Sequence, residues 1–196
     1  MDARQFFIQP HEEGKNKKLH SFCPRCGNRL ASATVEDLLR PICPSCGYIQ
    51  YLNPSPGAVV LIEREGTVLL GKRRGNVRSG KWSLPGGYIN FDENFLSAAH
   101  REVLEETGLH IEITSILSVV SNFISSSLHT LVIVLAARVT GGRARPGDDI
   151  GELLWIAGGD SLPDMAFESD RHIIRRYFEN EAFGAPVDDT LSGSPF

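Results

Sequence analysis

Three glutamates stand within five positions of this chain: Glu102, Glu105 and Glu106. Residues 93–107 have the apolar spacing of a helix, and Gly108 stands where a glycine commonly ends one. On a helix with about 100° between successive residues, the three carboxylates fall within an arc of about 100°. Like charges three and four positions apart repel each other, so a helix that is only solvated would more often alternate glutamate with lysine.

This carboxylate face predicts a site for a hard divalent cation. Mg²⁺ prefers carboxylate oxygens and keeps several of its waters, and Mn²⁺ accepts the same ligands. Ala98 is small and leaves room beside the carboxylates, while Leu96, Ala99 and Val103 form an apolar stripe that can anchor the helix on a sheet. Cations held in this way neutralise a polyphosphate and lower the pKa of a bound water. The repulsion between the glutamates is therefore tolerated because a metal site needs their charge.

Four cysteines lie in two C-x2-C pairs, CPRCG and CPSCG, which are separated by 16 residues. This spacing is typical of a tetrahedral zinc site. Four thiolates leave no open position for water, so the predicted Zn²⁺ is structural. Disulfides or free thiols are the alternative. Free thiols would leave a segment this poor in apolar residues without the cross-link that it needs to fold. The predicted ligands are Cys23, Cys26, Cys43 and Cys46.

The chain divides into four predicted segments. Residues 1–19 end in the polar run GKNKK and are expected to form a flexible arm. Residues 20–52 form the zinc ribbon, and residues 53–183 form the main domain. Residues 184–196 are expected to be a disordered tail.

Five strands and two helices are predicted in the main domain. The strands are AVVLIER, TVLLGKR, ITSILSVV, HTLVIVLAARVT and GELLWIA, and the third and fourth are rich in β-branched residues. The glutamate helix follows the second strand, and SDRHIIRRYFEN is an amphipathic second helix with Ser169 or Asp170 as its expected cap. This order predicts an α/β fold with a mixed sheet covered by helices.

The composition narrows the classes of partner. A net charge of −4 and a pI of about 5.9 argue against a nucleic-acid coat, which needs a dominant basic surface. No apolar run approaches the ~18 residues of a membrane-spanning helix. The N-terminus lacks the apolar core of an export signal. We therefore expect a cytoplasmic protein that has neither a membrane nor a nucleic-acid partner, and the charge leaves room for a small anionic ligand in a local basic pocket.

The region around the glutamates resembles the signature of the Nudix hydrolases at every fixed position. The pattern begins at Gly87, continues at Glu93 and ends in REVLEETGL, and it spans 23 residues. The run WSLPGG, the Tyr-x-Asn-Pro after the cysteines and AFESDRHIIRRYF are similar to the zinc-ribbon branch of that family. The resemblance covers most of residues 22–180 and implies a Nudix α/β/α sandwich with a mixed sheet, preceded by a small four-cysteine zinc ribbon.

The resemblance implies hydrolysis of a nucleoside diphosphate linked to another moiety, which releases a nucleoside monophosphate. Glu105 and Glu106 would bind the catalytic Mg²⁺ or Mn²⁺, with Glu102 as a ligand or a general base. The carbonyl of Gly86 would be a further metal ligand. The enzyme would thus be a pyrophosphohydrolase acting on phosphorus-containing anhydrides.

Supporting residues are predicted around the carboxylates. By the same resemblance, Arg101 would hold a carboxylate through a charge-assisted hydrogen bond, and Glu93 would buttress the loop before the helix. Arg73 and Arg74 are the last residues of the second strand. They could form bidentate hydrogen bonds with phosphate oxygens, or they could be solvent-exposed residues at the strand end. Phe123 is a candidate to stack on a base, with packing in the core as the favoured alternative.

The general base has more than one candidate. Members of the family often take it from a late acidic loop, and here PGDDIGE offers Asp148, Asp149 and Glu152. Glu152 is the preferred candidate because it directly precedes the strand residues LLW. Glu102 is the candidate on the helix, and a solvated acidic turn is the other interpretation of the loop.

The sequence leaves several substrates as candidates. The NADH-cleaving branch carries Ser-Gln-Pro-Trp after the helix, where this chain has SVVSNFISSS. The proline that many ADP-ribose hydrolases carry beyond the signature is replaced here by Ile124-Ser125. We expect ADP-ribose, FAD or a related dinucleotide. The alternatives are a triphosphate pyrophosphohydrolase and a nucleotide-sensing regulator whose ribbon binds DNA or RNA, and both a monomer and a homodimer are open.

Overall fold

An eight-stranded mixed sheet lies at the centre of the molecule in the computed structural model, which describes residues 6–8, 20–75, 77–125, 128–182 and 184–187. Its main path runs in the order β1 (Phe6–Ile8), β8 (Leu109–Ser125), β9 (Leu128–Gly142), β4 (Ser55–Arg64), β5 (Thr67–Arg73) and β10 (Ile150–Ala157). Two short strands, β6 (Trp82–Ser83) and β7 (Gly86–Tyr88), pair with β5 and β4. A separate two-stranded sheet consists of β2 (Ala31–Val35) and β3 (Leu38–Ile42).

One helix packs on each face of the large sheet. Helix α1 (Phe95–Thr107) contributes Ala99 and Val103 to an apolar cluster on one face. Helix α2 (Glu168–Phe178) contributes Ile173 and Ile174 to the cluster on the other face. Strand β4 supplies residues to both clusters, because neighbouring side chains of a strand point to opposite faces. The predicted α/β/α sandwich with a mixed sheet is confirmed.

Both ends of α1 are fixed by hydrogen bonds. The Asn94 side chain accepts from the backbone N–H groups of Leu96 at 3.0 Å and Ser97 at 2.9 Å, so the helix begins two residues later than the predicted 93–107. At the other end Gly108 has a left-handed φ of 69°, and its N–H donates to the carbonyl of Leu104 at 2.9 Å. The helix therefore carries its glutamates on a rigid element.

Four of the five predicted strands are longer in the structure, whereas β5 has the bounds of the predicted TVLLGKR. Strand β8 spans 17 residues, whereas the periodic pattern ITSILSVV covers only its middle. Its register against β9 shifts at four points. Such irregularities break the regular alternation of buried and exposed side chains on which a pattern-based prediction depends.

The two predicted terminal segments are described only in part. Within the predicted arm 1–19, strand β1 pairs in parallel with residues 120–122 of β8. At the start of the predicted tail, Ala185 and Ile116 exchange backbone hydrogen bonds of 2.9 Å. The remainder of both segments lies outside the described residues. Neither described helix has the length and apolar character needed to cross a bilayer.

Candidate active site and zinc site

The four cysteine sulfurs of the ribbon converge on one point. All four Sγ atoms lie within 4.8 Å of one another, with 3.6 Å between Cys23 and Cys46 and 3.4 Å between Cys26 and Cys43. Tetrahedral Zn²⁺ with Zn–S bonds of about 2.3 Å places its sulfurs about 3.8 Å apart. A disulfide would require S–S contact near 2 Å, roughly half of these distances. The donor set fits a structural Zn²⁺ and not a pair of disulfides.

Each C-x2-C pair forms the same tight turn. The N–H of Gly27 donates to the carbonyl of Cys23 at 2.9 Å, and the N–H of Gly47 donates to the carbonyl of Cys43 at the same distance. Both glycines have a left-handed φ, 74° and 71°. Since such a φ strains residues with a Cβ, the glycine after each pair lets the turn bring its two sulfurs together.

Arg101 binds three carboxylates, one in the loop before α1 and two on α1 itself. Its Nε donates to Glu93 Oε2 at 3.0 Å, and a second N–H of the guanidinium, on Nη2, bonds the other oxygen of Glu93. Its Nη1 donates to Glu102 Oε1 at 2.8 Å and to Glu105 Oε2 at 3.1 Å. The guanidinium therefore sets the spacing of several acids at once, whereas the sequence predicted a bond to one carboxylate.

Glu93 joins the loop before α1 to this arginine. Its Oε1 accepts the backbone N–H of Asn90 at 2.8 Å, and Arg101 Nη2 donates to the carbonyl of Tyr88 at 3.1 Å. The hydrogen bonds from Arg101 hold the pKa of Glu93 below its usual range. An ionised Glu93 thus joins the loop before α1 to Arg101.

Glu106 is a buried acid with a raised pKa. Its side chain is only 3% exposed, and its Oε2 accepts the N–H of Gly86 at 2.8 Å. Burial raises the pKa of Glu106 to about 9, and it also raises the pKa of Glu102. Glu106 therefore favours its neutral form at pH 7 in the protein alone, and a divalent cation beside it would reverse that preference. Carboxylates desolvated in this way fit a site for Mg²⁺.

Two glycines allow the loop before α1 to approach these acids. Gly86 has a φ of 143°, and a side chain on it would meet the carbonyl of Ala58. A Cβ on Gly87 would lie 2.5 Å from the carboxylate of Glu102. Any residue with a Cβ would clash at these two positions. Gly86 and Gly87 therefore let the backbone of β7 lie directly against the glutamates of α1.

The acidic loop before β10 lies against the C-terminal end of α1. The N–H of Gly147 donates to the carbonyl of Glu106 at 2.9 Å. The carboxyl of Asp149 faces Glu106 closely enough to raise its pKa further, and Asp148 does the same to Glu102. Of the three acids that the sequence offered, Asp149 and Asp148 are thus the two that act on the glutamates. Glu152 instead pairs with Lys72, its Oε1 lying 2.8 Å from Nζ.

Arg73 and Arg74 hold this loop. Arg73 Nη2 donates to Asp149 Oδ2 at 3.0 Å, and Arg74 Nε donates to the carbonyl of Asp148 at 2.9 Å. The backbone N–H of Arg74 also donates to the carbonyl of Asp149 at 2.7 Å. Both arginines therefore lie beside the site with protein partners already in place.

Phe123 stacks on a histidine of the neighbouring strand. Its ring lies 4.0 Å from that of His129, centroid to centroid, with 18° between the planes. The two residues are register partners at the end of β8 and β9. The structure thus gives Phe123 an aromatic neighbour on the adjacent strand.

Asp170 is a functional candidate that sequence reasoning missed. It was expected to cap α2, but the N-cap is Phe167, which makes no side-chain capping bond. Asp170 is buried instead, and its Oδ2 accepts the N–H of Leu84 at 3.0 Å, two residues before Gly86. Burial raises its pKa to about 7. The signal that could have revealed it is an acid on the apolar side of an amphipathic helix.

Comparison with known proteins identifies the family. Residues 53–177 match the NUDIX domain, and residues 21–52 match the family described as Nudix N-terminal, a zinc ribbon. A NUDIX hydrolase from Nitrosomonas europaea superposes with a TM-score of 0.73 at 30% identity, covering 90% of this chain and 95% of that one.

Two curated relatives have named activities. An ADP-ribose pyrophosphatase of Methanocaldococcus jannaschii is 35% identical over 131 residues, 66% of this chain and 76% of that protein. A NAD-capped RNA hydrolase, NudC, of Chromobacterium violaceum is 32% identical over 149 residues, 74% of this chain and 53% of that protein. The chain thus spans about half the length of the second relative. With its zinc ribbon, its glutamate helix and these matches, the chain belongs to the Nudix hydrolase family.

Proposed function

We propose that this protein is an Mg²⁺-dependent pyrophosphohydrolase that cleaves an ADP-linked dinucleotide or sugar nucleotide and releases AMP. The observation that carries the proposal is the set of carboxylates joined by Arg101 beside the buried Glu106. Similarity to an ADP-ribose pyrophosphatase supports the substrate class. Mg²⁺ bound at the site would neutralise the diphosphate and lower the pKa of an attacking water.

Each residue of the cluster has a separate task in this proposal. Glu102, Glu105 and Glu106 supply the carboxylate ligands, and the backbone of Gly86 lies next to Glu106 as a further ligand candidate. Arg101 holds Glu102 and Glu105 at a fixed separation, so the site does not reorganise when the diphosphate arrives. Glu106 is buried, and the low local dielectric around it strengthens its attraction for a cation.

The general base is the first role to test. We propose Asp149, because it faces Glu106 and is oriented by Arg73, and Glu152 is the alternative. Asp149→Asn is expected to lower kcat by about 10²-fold or more, the usual contribution of a general base. Glu152→Gln, the matched control, is expected to change kcat by less than about threefold, because it removes only an exposed pair with Lys72. A larger loss in Glu152→Gln than in Asp149→Asn would transfer the role to Glu152.

The stability of the metal-free protein is expected to depend on pH through Glu106. Its pKa is about 9 in the folded protein against 4.5 as the ordinary value, so between these pH values the folded chain holds a proton that the unfolded chain has lost. This contribution to stability is complete below pH 4.5 and is lost as pH rises towards 9. Mg²⁺ favours the ionised acid, so it should raise Tm more at high pH than at low pH. A Tm increase that does not grow with pH, in thermal melts with and without Mg²⁺, would count against Glu106 as a ligand.

The substrate class is tested by product analysis. The protein should be incubated with Mg²⁺ and a panel of ADP-ribose, FAD, NADH, NAD-capped RNA and nucleoside triphosphates, with products identified by mass. We expect AMP from the ADP-linked compounds. Turnover restricted to the triphosphates, with release of pyrophosphate, would instead support the alternative of a triphosphate pyrophosphohydrolase. Tight, salt-dependent binding of uncapped nucleic acid without turnover would support a regulator.

A further inference from the structure

The segment that leads to the glutamate helix fills a gap between two strands of the large sheet. Strands β4 and β5 pair with each other at their hairpin end, where Glu63 meets Val68. Beyond that end, β6 pairs with β5 and β7 pairs with β4. Leu84 and Pro85 connect β6 to β7, and a proline brings no N–H to this connection. The placement of the connection therefore determines where the next residue, Gly86, lies.

Two buried acids from opposite faces of the sheet hold this connection. Asp170 Oδ2 of α2 accepts the N–H of Leu84 at 3.0 Å, and Glu106 Oε2 of α1 accepts the N–H of Gly86 at 2.8 Å. Asp170 and Glu106 are 4% and 3% exposed. The backbone from Leu84 to Gly86 is thus fixed from both sides, by one acid of the candidate metal site and by one acid outside it.

The contacts of Asp170 favour a role beyond the stability of α2. An acid in the first turn of a helix suits the helix dipole, but the exposed Glu168 already supplies that charge. Burying a second carboxyl there is costly unless it is hydrogen-bonded, and Oδ1 of Asp170 accepts from the Ser169 hydroxyl at 3.4 Å. Burial raises the pKa of Asp170, whereas the charge of Arg73, the partner of Asp149, acts in the opposite direction. Asp170 therefore interacts with two parts of the candidate site.

We propose that Asp170 is a positioning residue for the divalent-metal site, an inference that rests on the proposed function. Its hydrogen bond to Leu84 fixes the connection between β6 and β7. The N–H of Gly86 then stays directed at Glu106, and the Gly86 carbonyl keeps its place as a candidate ligand. Removing a partner that orients metal ligands typically changes metal affinity or activity by about 10–100-fold. Asp170 exerts this effect through the backbone, without touching the metal or the substrate.

The experiment separates this hydrogen bond from the general stability of α2. Asp170→Leu removes the acceptor, and Asp170→Asn keeps a carbonyl oxygen that can accept the same bond. Ile174→Val is the matched control, because Ile174 is fully buried in the same helix and its truncation leaves the Leu84 N–H with its partner. Mn²⁺ binding to the zinc-loaded full chain is measured by electron paramagnetic resonance. The Mg²⁺ concentration for half-maximal hydrolysis of ADP-ribose is measured separately.

The expected result is weaker metal binding in Asp170→Leu alone. That variant should raise the Kd for Mn²⁺ and the half-saturating Mg²⁺ concentration about tenfold or more. Asp170→Asn and Ile174→Val should change both values by less than about threefold, because the bond to Leu84 is retained. Asp170→Leu and Ile174→Val should both lower Tm, since one leaves a buried N–H unpaired and the other removes a buried methylene. A purely structural role would instead give these two variants similar metal affinities.

Two results would overturn the positioning role directly. One is a Kd for Mn²⁺ in Asp170→Leu within about twofold of that of the unaltered protein. The other is a loss of affinity in Asp170→Asn or Ile174→Val as large as that in Asp170→Leu. If Asp170→Leu does not fold, Asp170→Ser replaces it with the same expected loss, because its smaller side chain leaves room for a water at the Leu84 N–H. Failure of both variants to melt cooperatively would assign Asp170 to folding.

Failure of the proposed function has a different signature. The unaltered protein would then bind Mn²⁺, with the variants in the expected order of affinity, but would hydrolyse none of the panel. Normal hydrolysis of ADP-ribose with equal Mn²⁺ affinities in all variants would instead leave the proposed function intact and refute the positioning role.

Discussion

Replacing Glu106 by Gln is expected to reduce hydrolysis by about 10³-fold or more while the protein stays folded. The loss follows because an amide cannot supply the negative charge that a cation at this site needs, and metal-ion stabilisation contributes several kcal/mol to the transition state. The fold should tolerate the change because the pKa of Glu106 is about 9, so at pH 7 the metal-free protein already holds a neutral carboxyl there. The Gln carbonyl can still accept the N–H of Gly86.

The measurement is kcat with ADP-ribose together with a thermal melt at pH 7. Glu112→Gln is the matched control, because Glu112 lies on the exposed surface of β8, where it pairs with Arg138 at 2.7 Å. Its kcat should not change. If Glu106→Gln retained full turnover, the assignment of Glu106 to the metal would be wrong.

The second large effect concerns the ribbon. Cys43→Ser is expected to remove the Zn²⁺ and to unfold residues 20–50, because the metal is the main source of stability in that segment. Structural Zn²⁺ sites contribute about 10–16 kcal/mol to small domains. The β2–β3 hairpin has little to replace it, since Leu38 and Leu39 are 57% and 74% exposed. Hydrogen exchange across residues 20–50 and elemental analysis of zinc would measure the effect.

Ser45→Ala is the control for the ribbon, because Ser45 lies between the two cysteines of the same turn and is exposed. That variant should keep one Zn²⁺ per chain and normal protection from exchange. Full protection of residues 20–50 in zinc-free Cys43→Ser would contradict a structural role for the metal.

The features that could be predicted from sequence are those set by local spacing. The 3.6-residue period and Gly108 locate α1, and the C-x2-C pairs locate a cluster that the structure brings within 4.8 Å. The strand order and the two helices predict the mixed sheet, because alternating strand and helix patterns leave few topologies. These signals depend on neighbours in the chain, so a single sequence contains them.

The contacts that could not be predicted join residues distant in the chain. Asp170 meets Leu84 across 86 residues, and Arg73 meets Asp149 across 76. No periodic pattern encodes such pairs, since they depend on how loops lie once the sheet has formed. The preference for Glu152 as general base depends on a similar long-range contact. The sequence places Glu152 just before a strand, but its ion pair with Lys72 follows from the register of β10 on β5.

The central claim is that the glutamate face of α1 gathers divalent cations against a diphosphate. Anomalous diffraction at the manganese edge, from crystals soaked in Mn²⁺ with a slowly hydrolysed ADP-ribose analogue, tests it most directly. We expect Mn²⁺ within about 2.3 Å of carboxylate oxygens of Glu102, Glu105 and Glu106, in contact with the diphosphate. Analogue bound with its diphosphate remote from α1, or Mn²⁺ peaks that avoid these three carboxylates, would contradict it.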